Sequence, residues 1–261
     1  MPRSLSKKES EVVLELEWKH QQYVTINDVI SLLNCSYDYA KKICYRLVEK
    51  KWLEPVSKGK YILIAADTGT QGIPSSNTLL VGSFLVKPYY YSYSTATAFY
   101  GFSTQMPATV YIATTQNKHM VKRGDSLYRF IHLSKWKFFG FTPVRVFDSD
   151  VLMADKEKAI IDSIDKMKYT GGLREVADVV KNGVKKVHVP TLMNYAIKMK
   201  SHTLIQRLGF LLECYDISFD ENILLKHIGN TVVFLDPYGK KTGVFVKKWG
   251  IIQNSSEDRY A

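Results

Sequence analysis

The segment 23–64, YVTINDVISLLNCSYDYAKKICYRLVEKKWLEPVSKGKYILI, decides the fold of this chain. Its central part spaces apolar residues at i, i+3, i+4, i+7 and i+8, which is typical of one buried helix face: Ala40, Ile43, Cys44, Leu47 and Val48. A shorter apolar stripe begins after Thr25, a residue type that caps helix N-termini. Residues 34–36, Asn-Cys-Ser, suit a turn between the two helices, and Ser36 can cap the second one.

The pattern changes to that of a hairpin after this helix. Two short apolar runs, 52–56 and 61–64, flank a glycine-containing turn that carries Lys58 and Lys60. Two helices joined by a tight turn and followed by a hairpin form a winged helix-turn-helix, whose second helix can enter the major groove of DNA. The same scaffold also serves as a protein-docking module, and that alternative stays open.

Composition limits the class of protein. The 261 residues favour two domains, and 46% hydrophobic with 23% charged residues is typical of a globular chain. A formal net charge of +11 favours a polyanionic partner, nucleic acid or an acidic membrane surface.

No apolar run approaches the roughly 20 residues of a membrane span. The N-terminus lacks a signal peptide's apolar core, and three cysteines fit neither a disulfide framework nor a zinc site. We expect a cytoplasmic protein that needs no cofactor or metal.

A Gly-, Ser- and Thr-rich stretch marks a domain boundary. We predict a winged helix-turn-helix domain at 1–66, a linker at 67–77 and a second domain at 78–261. In the second domain we predict strands at 109–115, 128–133, 144–147 and 151–154, followed by a helical region at 155–227. Two further predicted strands, 231–236 and 243–253, form the closing hairpin. The fold class is therefore α+β, with the winged domain followed by a larger mixed α/β domain that ends in a C-terminal β-hairpin.

The outer face of the second helix and the wing supply candidate DNA contacts. Lysine and arginine bind phosphates and can also read guanine, so we expect Lys42 or Arg46 to read a base while the wing lysines hold the backbone. The predicted DNA-binding residues are Ser36, Tyr37, Lys41, Lys42, Tyr45, Arg46, Lys58 and Lys60.

A second basic region lies in residues 116–145, which contain seven Lys and Arg but a single acid, Asp125. Within it, residues 117–124, NKHMVKRG, form a basic loop between two predicted strands. This excess suggests a second surface that contacts phosphates, with Lys118, Lys122 and Arg123 as candidates. A solvated hairpin tip explains the same pattern. The tyrosine-rich stretch at 88–107 could stack on bases, but we expect it to fill a core.

Three acidic residues on one predicted helix raise an enzymatic alternative. Asp155 and Asp162 are seven residues apart and could form a metal pair with Glu157 nearby, as in a metal-dependent nuclease or nucleotidyltransferase. A helix cap at Asp155 and an i±4 ion pair of Asp162 with Lys158 or Lys166 explain them better. We see no catalytic residues and no third metal ligand, so we predict that the chain is not an enzyme.

Five segments of the second domain resemble, in order, the C-terminal domain of AbiEi-type antitoxins, the transcriptional-regulator half of type IV toxin–antitoxin systems. They are YYYSYSTATAFYGFSTQMP at 89–107, TVYIATT at 109–115 with the basic loop after it, WKFFGF at 136–141, ADKEKAIIDSIDKMKYTGG at 154–172 and LDPYGKKTGVFVKKWGIIQN at 235–254. One departure is Lys156, where the family pattern has proline after the Asp. Together with the winged helix, the resemblance covers nearly the whole chain.

The resemblance implies a function in abortive infection. It implies that the winged helix binds double-stranded DNA at inverted repeats in the operon's own promoter and represses transcription. It also implies that the second domain counters a nucleotidyltransferase-type toxin without a stable complex, and that it adds DNA contacts. We expect no membrane partner and a monomer or weak dimer that binds DNA cooperatively. The family's domain is not known as an enzyme, in agreement with the lack of catalytic residues.

Overall fold

The computed structural model describes residues 4–64, 78–105, 107–123, 126–146 and 149–255. The helices in these ranges are α1 (Lys7–Trp18), α2 (Ile26–Leu33), α3 (Tyr37–Glu49), α4 (Thr78–Ser83), α5 (Ser94–Phe99), α6 (Lys156–Asp165), α7 (Leu173–Gly183), α8 (Val189–Lys198), α9 (His202–Cys214) and α10 (Glu221–Leu225). The strands are β1 (Tyr23–Thr25), β2 (Leu53–Ser57), β3 (Lys60–Leu63), β4 (Tyr90–Tyr91), β5 (Thr109–Thr114), β6 (Val121–Arg123), β7 (Ser126–His132), β8 (Phe141–Val146), β9 (Ser149–Ala154), β10 (Val233–Phe234), β11 (Val244–Val246) and β12 (Ile251–Gln253).

The chain divides into two compact units. The first unit comprises Met1–Lys87 with Val144–Val151, and the second comprises Pro88–Pro143 with Leu152–Ala261. The linker predicted at 67–77 lies outside the described residues. The division at 66 and 78 therefore stays a prediction.

The first unit has three helices followed by a hairpin, and α2, α3 and the hairpin come in the order that the sequence predicts. Its core gathers the apolar faces of α1, α2 and α3, which contribute Val12, Leu16, Val29, Ile43 and Leu47. Strand β1 joins the hairpin to give an antiparallel sheet in the order β1-β3-β2. Trp18, at the C-terminal end of α1, is exposed and is not part of this core.

A six-stranded sheet in the order β6-β7-β5-β4-β9-β8 runs through residues 90–154. Strands β5 and β7 pair in parallel, with Val110 opposite Tyr128, while β6 closes the edge as an antiparallel partner of β7. Helices α6 to α9 supply most of the core of the second unit. Four tyrosines of the tyrosine-rich stretch are buried, as expected of core residues: Tyr89, Tyr90, Tyr91 and Tyr93.

Two predicted details of the second domain are corrected. The basic stretch 117–124 is not a plain loop, because its residues 121–123 form the edge strand β6. The C-terminal hairpin consists of β11 and β12, which pair antiparallel. Strand β10, predicted as one arm of that hairpin, instead pairs in parallel with β12, since the chain between β10 and β11 leaves the sheet and returns at its far edge.

The fold class is mixed helix and strand, in agreement with the α+β prediction. Within the part of the chain that the structure describes, no helix combines the length and the apolar character that crossing a bilayer requires.

Candidate nucleic-acid interface

Local capping defines the turn between α2 and α3. The Thr25 hydroxyl accepts a hydrogen bond from the Asp28 backbone N–H, and the Asp28 carboxylate accepts one from the Thr25 N–H at 2.6 Å, which completes a capping box at α2. Asn34 ends α2 in the left-handed region, with φ at 46°, a conformation that Asn tolerates well. The Ser36 hydroxyl then caps α3 by accepting from the Tyr39 N–H at 3.4 Å. The hydroxyl of Ser36, a predicted DNA contact, is therefore already used to cap α3.

Helix α3 has one buried and one exposed face. The buried face packs Ala40, Ile43, Cys44 and Leu47 in the core of the first unit. Most of the predicted contact residues lie on the other side, where their side chains are exposed: Tyr37, Lys41, Lys42, Tyr45 and Arg46. This face combines cations, which bind phosphates and base edges, with two tyrosines that can donate hydrogen bonds.

A buried glutamate on α1 holds the end of this face. Glu9 is 1% exposed, and its carboxylate lies 3.2 Å from Arg46 Nε and 2.7 Å from Lys50 Nζ. Burial works to raise the pKa of Glu9, but the hydrogen bonds from Lys50 and from Ser6 outweigh it and lower that pKa. This contact holds the Nε side of the Arg46 guanidinium against α1. Sequence analysis missed this role because Glu9 is explained locally as the capping partner of Ser6.

The wing is tied to α2 through its turn. Gly59 adopts a φ of +70°, and its carbonyl accepts a hydrogen bond from the Ile26 N–H at 3.2 Å. A Cβ at position 59 would lie 3.3 Å from Ile26 Cδ1, so space and backbone conformation both favour glycine there. Lys58 is exposed beside this turn and Lys60 is half-buried. Both cations are thus held on a hairpin that is anchored to the helix pair.

The second basic patch, Lys118, Lys122 and Arg123, lies in the second unit. All three side chains are exposed, the latter two on the edge strand β6. Lys118 Nζ lies 5.1 Å from the centre of the Phe130 ring. Partial burial and the nearby Arg123 charge lower the pKa of Lys118. Lys118 and Arg123 are therefore close enough to influence each other electrostatically.

The three candidate carboxylates of α6 each have a structural role. Asp155 caps the helix by accepting from the Lys158 N–H at 2.7 Å, and its other oxygen accepts from Tyr195 Oη at 2.9 Å. Burial raises the pKa of Asp155. Glu157 accepts from the His188 N–H at 2.9 Å. Asp162 is buried in an ion pair with Lys158, one of the two i±4 partners that the sequence offers.

Among the described residues, the carboxylates of α6 are not part of a metal site. Across residues 4–64, 78–105, 107–123, 126–146 and 149–255, no three His, Cys, Asp or Glu side chains come together in a group that could hold a metal ion. The three cysteines in the same ranges are free thiols.

Comparisons with known proteins agree with the geometry of the first unit. No curated protein sequence matches the chain. The crystal structure of the RV2827C protein from Mycobacterium tuberculosis has a similar fold, with a TM-score of 0.70 and 15% identity over 96% of this chain and 92% of that one. The segment that runs from α1 through the wing, residues 11–64, matches the family model described as "Transcriptional regulator, AbiEi antitoxin". The AbiEi resemblance is thus supported over residues 11–64, the helices and hairpin of the first unit. The five second-domain segments lie outside the matched range, so the resemblance there stays a prediction.

Proposed function

We propose that this chain is a DNA-binding transcriptional repressor that acts as the antitoxin of a type IV toxin–antitoxin system and represses its own operon. The observation that supports this most directly is the family match over residues 11–64, which coincides with a helix whose outer face carries Lys41, Lys42 and Tyr45. The chain's net charge of +11 suits a polyanionic partner.

In this proposal α3 enters the major groove of the operator. Lys42, exposed near the middle of the helix, contacts a guanine edge, and Lys41 and Tyr45 contact the flanking phosphates. The Nε of Arg46 faces Glu9. The two terminal nitrogens of its guanidinium are therefore the atoms that contact DNA in the groove. Lys58 and Lys60 on the wing hold the sugar–phosphate backbone. Recognition of this kind reads the inverted repeats of a promoter when two copies bind neighbouring half-sites.

The second unit carries the antitoxin activity in this proposal. It counters a nucleotidyltransferase-type toxin in the cytoplasm without forming a stable complex with it. Support for this part comes from the resemblance of the second-domain segments to the AbiEi C-terminal domain. The proposal assigns no reaction to the carboxylates of α6, since each of them already has a structural partner.

A gel-shift titration on the DNA segment upstream of the gene tests the groove assignment. The variant Lys42→Ala/Arg46→Ala removes two base-reading candidates, and we expect its affinity for this segment to fall by at least about tenfold, the effect of one lost base contact. The control Arg174→Ala/Lys181→Ala removes the same two charges from exposed positions on α7 and should bind nearly as wild type.

The same titration separates the remaining functions. Unchanged affinity and salt slope in the α3 variant remove the groove assignment. Wild-type protein that retards no DNA segment even at low salt favours the protein-docking winged helix instead. A metal-dependent cleavage of the DNA by the wild-type protein favours the nuclease alternative.

A further inference from the structure

Among the residues that the structure describes, no strand pairs with the outer edge of strand β11. It is the last strand of the sheet ordered β10-β12-β11. On the other side of β12, the Gly250 and Ile252 carbonyls accept hydrogen bonds from Val233 and Leu235. Because backbone groups alternate along a strand, Ile251 and Gln253 are the residues whose N–H and C=O face β11.

The pairing register then fixes which groups of β11 face away from the sheet. Val244 lies opposite Gln253 and Val246 opposite Ile251, so these pairs exchange the hydrogen bonds between the two strands. Phe245 lies opposite Ile252 in a non-hydrogen-bonded pair. Its N–H and C=O therefore point to the open edge, ready to pair with another strand.

The side chains of this edge are apolar and exposed. Val244 is 69% exposed and Phe245 is 54% exposed, and the two lie on opposite faces of the strand. An exposed apolar edge strand is the kind of surface that pairs with another chain. The features needed for strand addition, an outward donor and acceptor with apolar contacts on both faces, are present together at Phe245 and Val244.

Lysines flank the open edge on both ends. Lys240 and Lys241 precede β11, and Lys247 and Lys248 follow it. Lys248 is neutralised by Glu213 and Glu221, at 3.1 and 2.5 Å. The other three have no carboxylate within ion-pairing distance among the described residues, which end at 255. The edge therefore presents net positive charge beside its apolar side chains.

This charge decides between possible occupants. A second copy that paired through β11 would bring together two edges that are both flanked by unpaired lysines, an unfavourable arrangement of like charges. An acidic strand would instead place carboxylates near these lysines, which is favourable. We propose that β11 is a docking edge for an extended, acidic segment of a partner protein, which adds to the β10-β12-β11 sheet as a fourth strand next to Phe245.

A matched pair of substitutions at one position tests the backbone contact. Phe245→Pro removes both the outward N–H and the ring, whereas Phe245→Leu removes the ring and keeps the N–H. Proline is tolerated on an edge strand when its missing N–H faces outward. The probe is a fluorescein-labelled peptide of alternating valine and glutamate, about eight residues long, the length of an ordinary strand. The full-length protein is titrated and binding is read as fluorescence anisotropy.

We expect the leucine variant to bind the glutamate peptide, and the proline variant to bind it about fivefold more weakly than the leucine variant, the effect of one lost hydrogen bond. A peptide in which lysine replaces glutamate should bind wild type more weakly. Lys240→Glu/Lys247→Glu should reverse that preference, a result that a purely structural role of these lysines does not produce.

Three outcomes overturn the proposal. Equal binding by the proline and leucine variants removes the backbone contact, and equal binding of both peptides to wild type removes the charge preference. Dimerisation of wild type in sedimentation that is lost in Phe245→Pro assigns the edge to a second copy. Hydrogen exchange on wild type provides a test that does not depend on variant folding, because the Phe245 amide must gain protection when the glutamate peptide binds.

Discussion

At the level of single residues, the second unit contains a charged pair that water does not reach. Lys158 and Asp162 are 0% and 1% exposed. Tyr90 and Ser92 donate hydrogen bonds to the carboxylate at 3.0 and 2.6 Å, and Lys158 Nζ donates to Tyr90 Oη at 3.0 Å. The Phe139 ring lies 5.0 Å from the ammonium. A buried ion pair is tolerated only when its remaining hydrogen-bonding groups are satisfied, and here they are.

Removing one partner of this pair should be strongly destabilising. Lys158→Met keeps the length of the side chain but leaves the Asp162 carboxylate buried without its cation, and we expect the free energy of unfolding to fall by about 3–5 kcal/mol. Urea denaturation measures the change. Lys156→Met, at an exposed position on the same helix, is the control and should change stability by no more than about 0.5 kcal/mol. Equal effects of the two substitutions would show that the buried pair has no special role.

Glu9 makes the stability of the first unit depend on pH. Its pKa is lower in the folded state, so its contribution is fully present above the unfolded value near 4.5 and is lost as pH falls through the folded pKa. We therefore expect wild type to be more stable than Glu9→Gln at neutral pH and the difference to shrink in acid. Denaturant unfolding of both proteins from pH 7 down to about pH 3 tests this. A difference between wild type and Glu9→Gln that stays constant over this pH range would contradict the prediction.

At the level of elements, a glycine in α9 illustrates how close packing overrides helix propensity. A Cβ on Gly209 would meet the buried Trp249 ring. Alanine normally stabilises a helix by about 1 kcal/mol relative to glycine. Overpacking costs about 1–3 kcal/mol, so we expect Gly209→Ala to lower the free energy of unfolding. In a double-mutant cycle with Trp249→Leu the combined loss should be smaller than the sum of the single losses, because the smaller side chain makes room. An additive cycle would contradict the packing explanation.

The elements that the sequence predicts well are those with a strong local pattern. Helix α3 follows from the spacing of its buried residues, and α6 begins next to its predicted cap, Asp155. The hairpin of the wing lies within one or two residues of its predicted position. The three-residue strand β1 was missed because it is too short for a visible alternation and is defined only by its pairing with β3.

Contacts between distant residues account for what the sequence does not predict. The exposed positions of the α3 site follow from helical periodicity, so Tyr37, Lys42 and Tyr45 lie on the predicted face. The contact between Glu9 and Arg46 joins residues on different helices, and no local pattern reports it. The same holds for β10, which pairs with β12 in parallel instead of forming a hairpin arm.

At the level of the whole molecule, the candidate DNA-contacting residues form two basic surfaces, one in each compact unit. The α3 face and wing belong to the first unit, and the patch of Lys118, Lys122 and Arg123 belongs to the second. A patch that contacts phosphates strengthens binding to any sequence and increases its salt dependence, whereas base-reading residues determine sequence preference. The two surfaces should therefore be separable in binding measurements.

We expect Lys118→Ala/Lys122→Ala/Arg123→Ala to weaken binding to promoter and unrelated DNA by the same factor. Each lost phosphate contact lowers the salt slope of the binding constant by about 0.9, so three lost contacts lower it by nearly 3. The control Lys181→Ala/Lys185→Ala/Lys186→Ala removes the same charge from exposed positions in the same unit and should leave the slope unchanged. Because both triple variants have the same net charge, an equal fall in slope would assign the effect to overall charge. A difference between them locates the second DNA contact at β6.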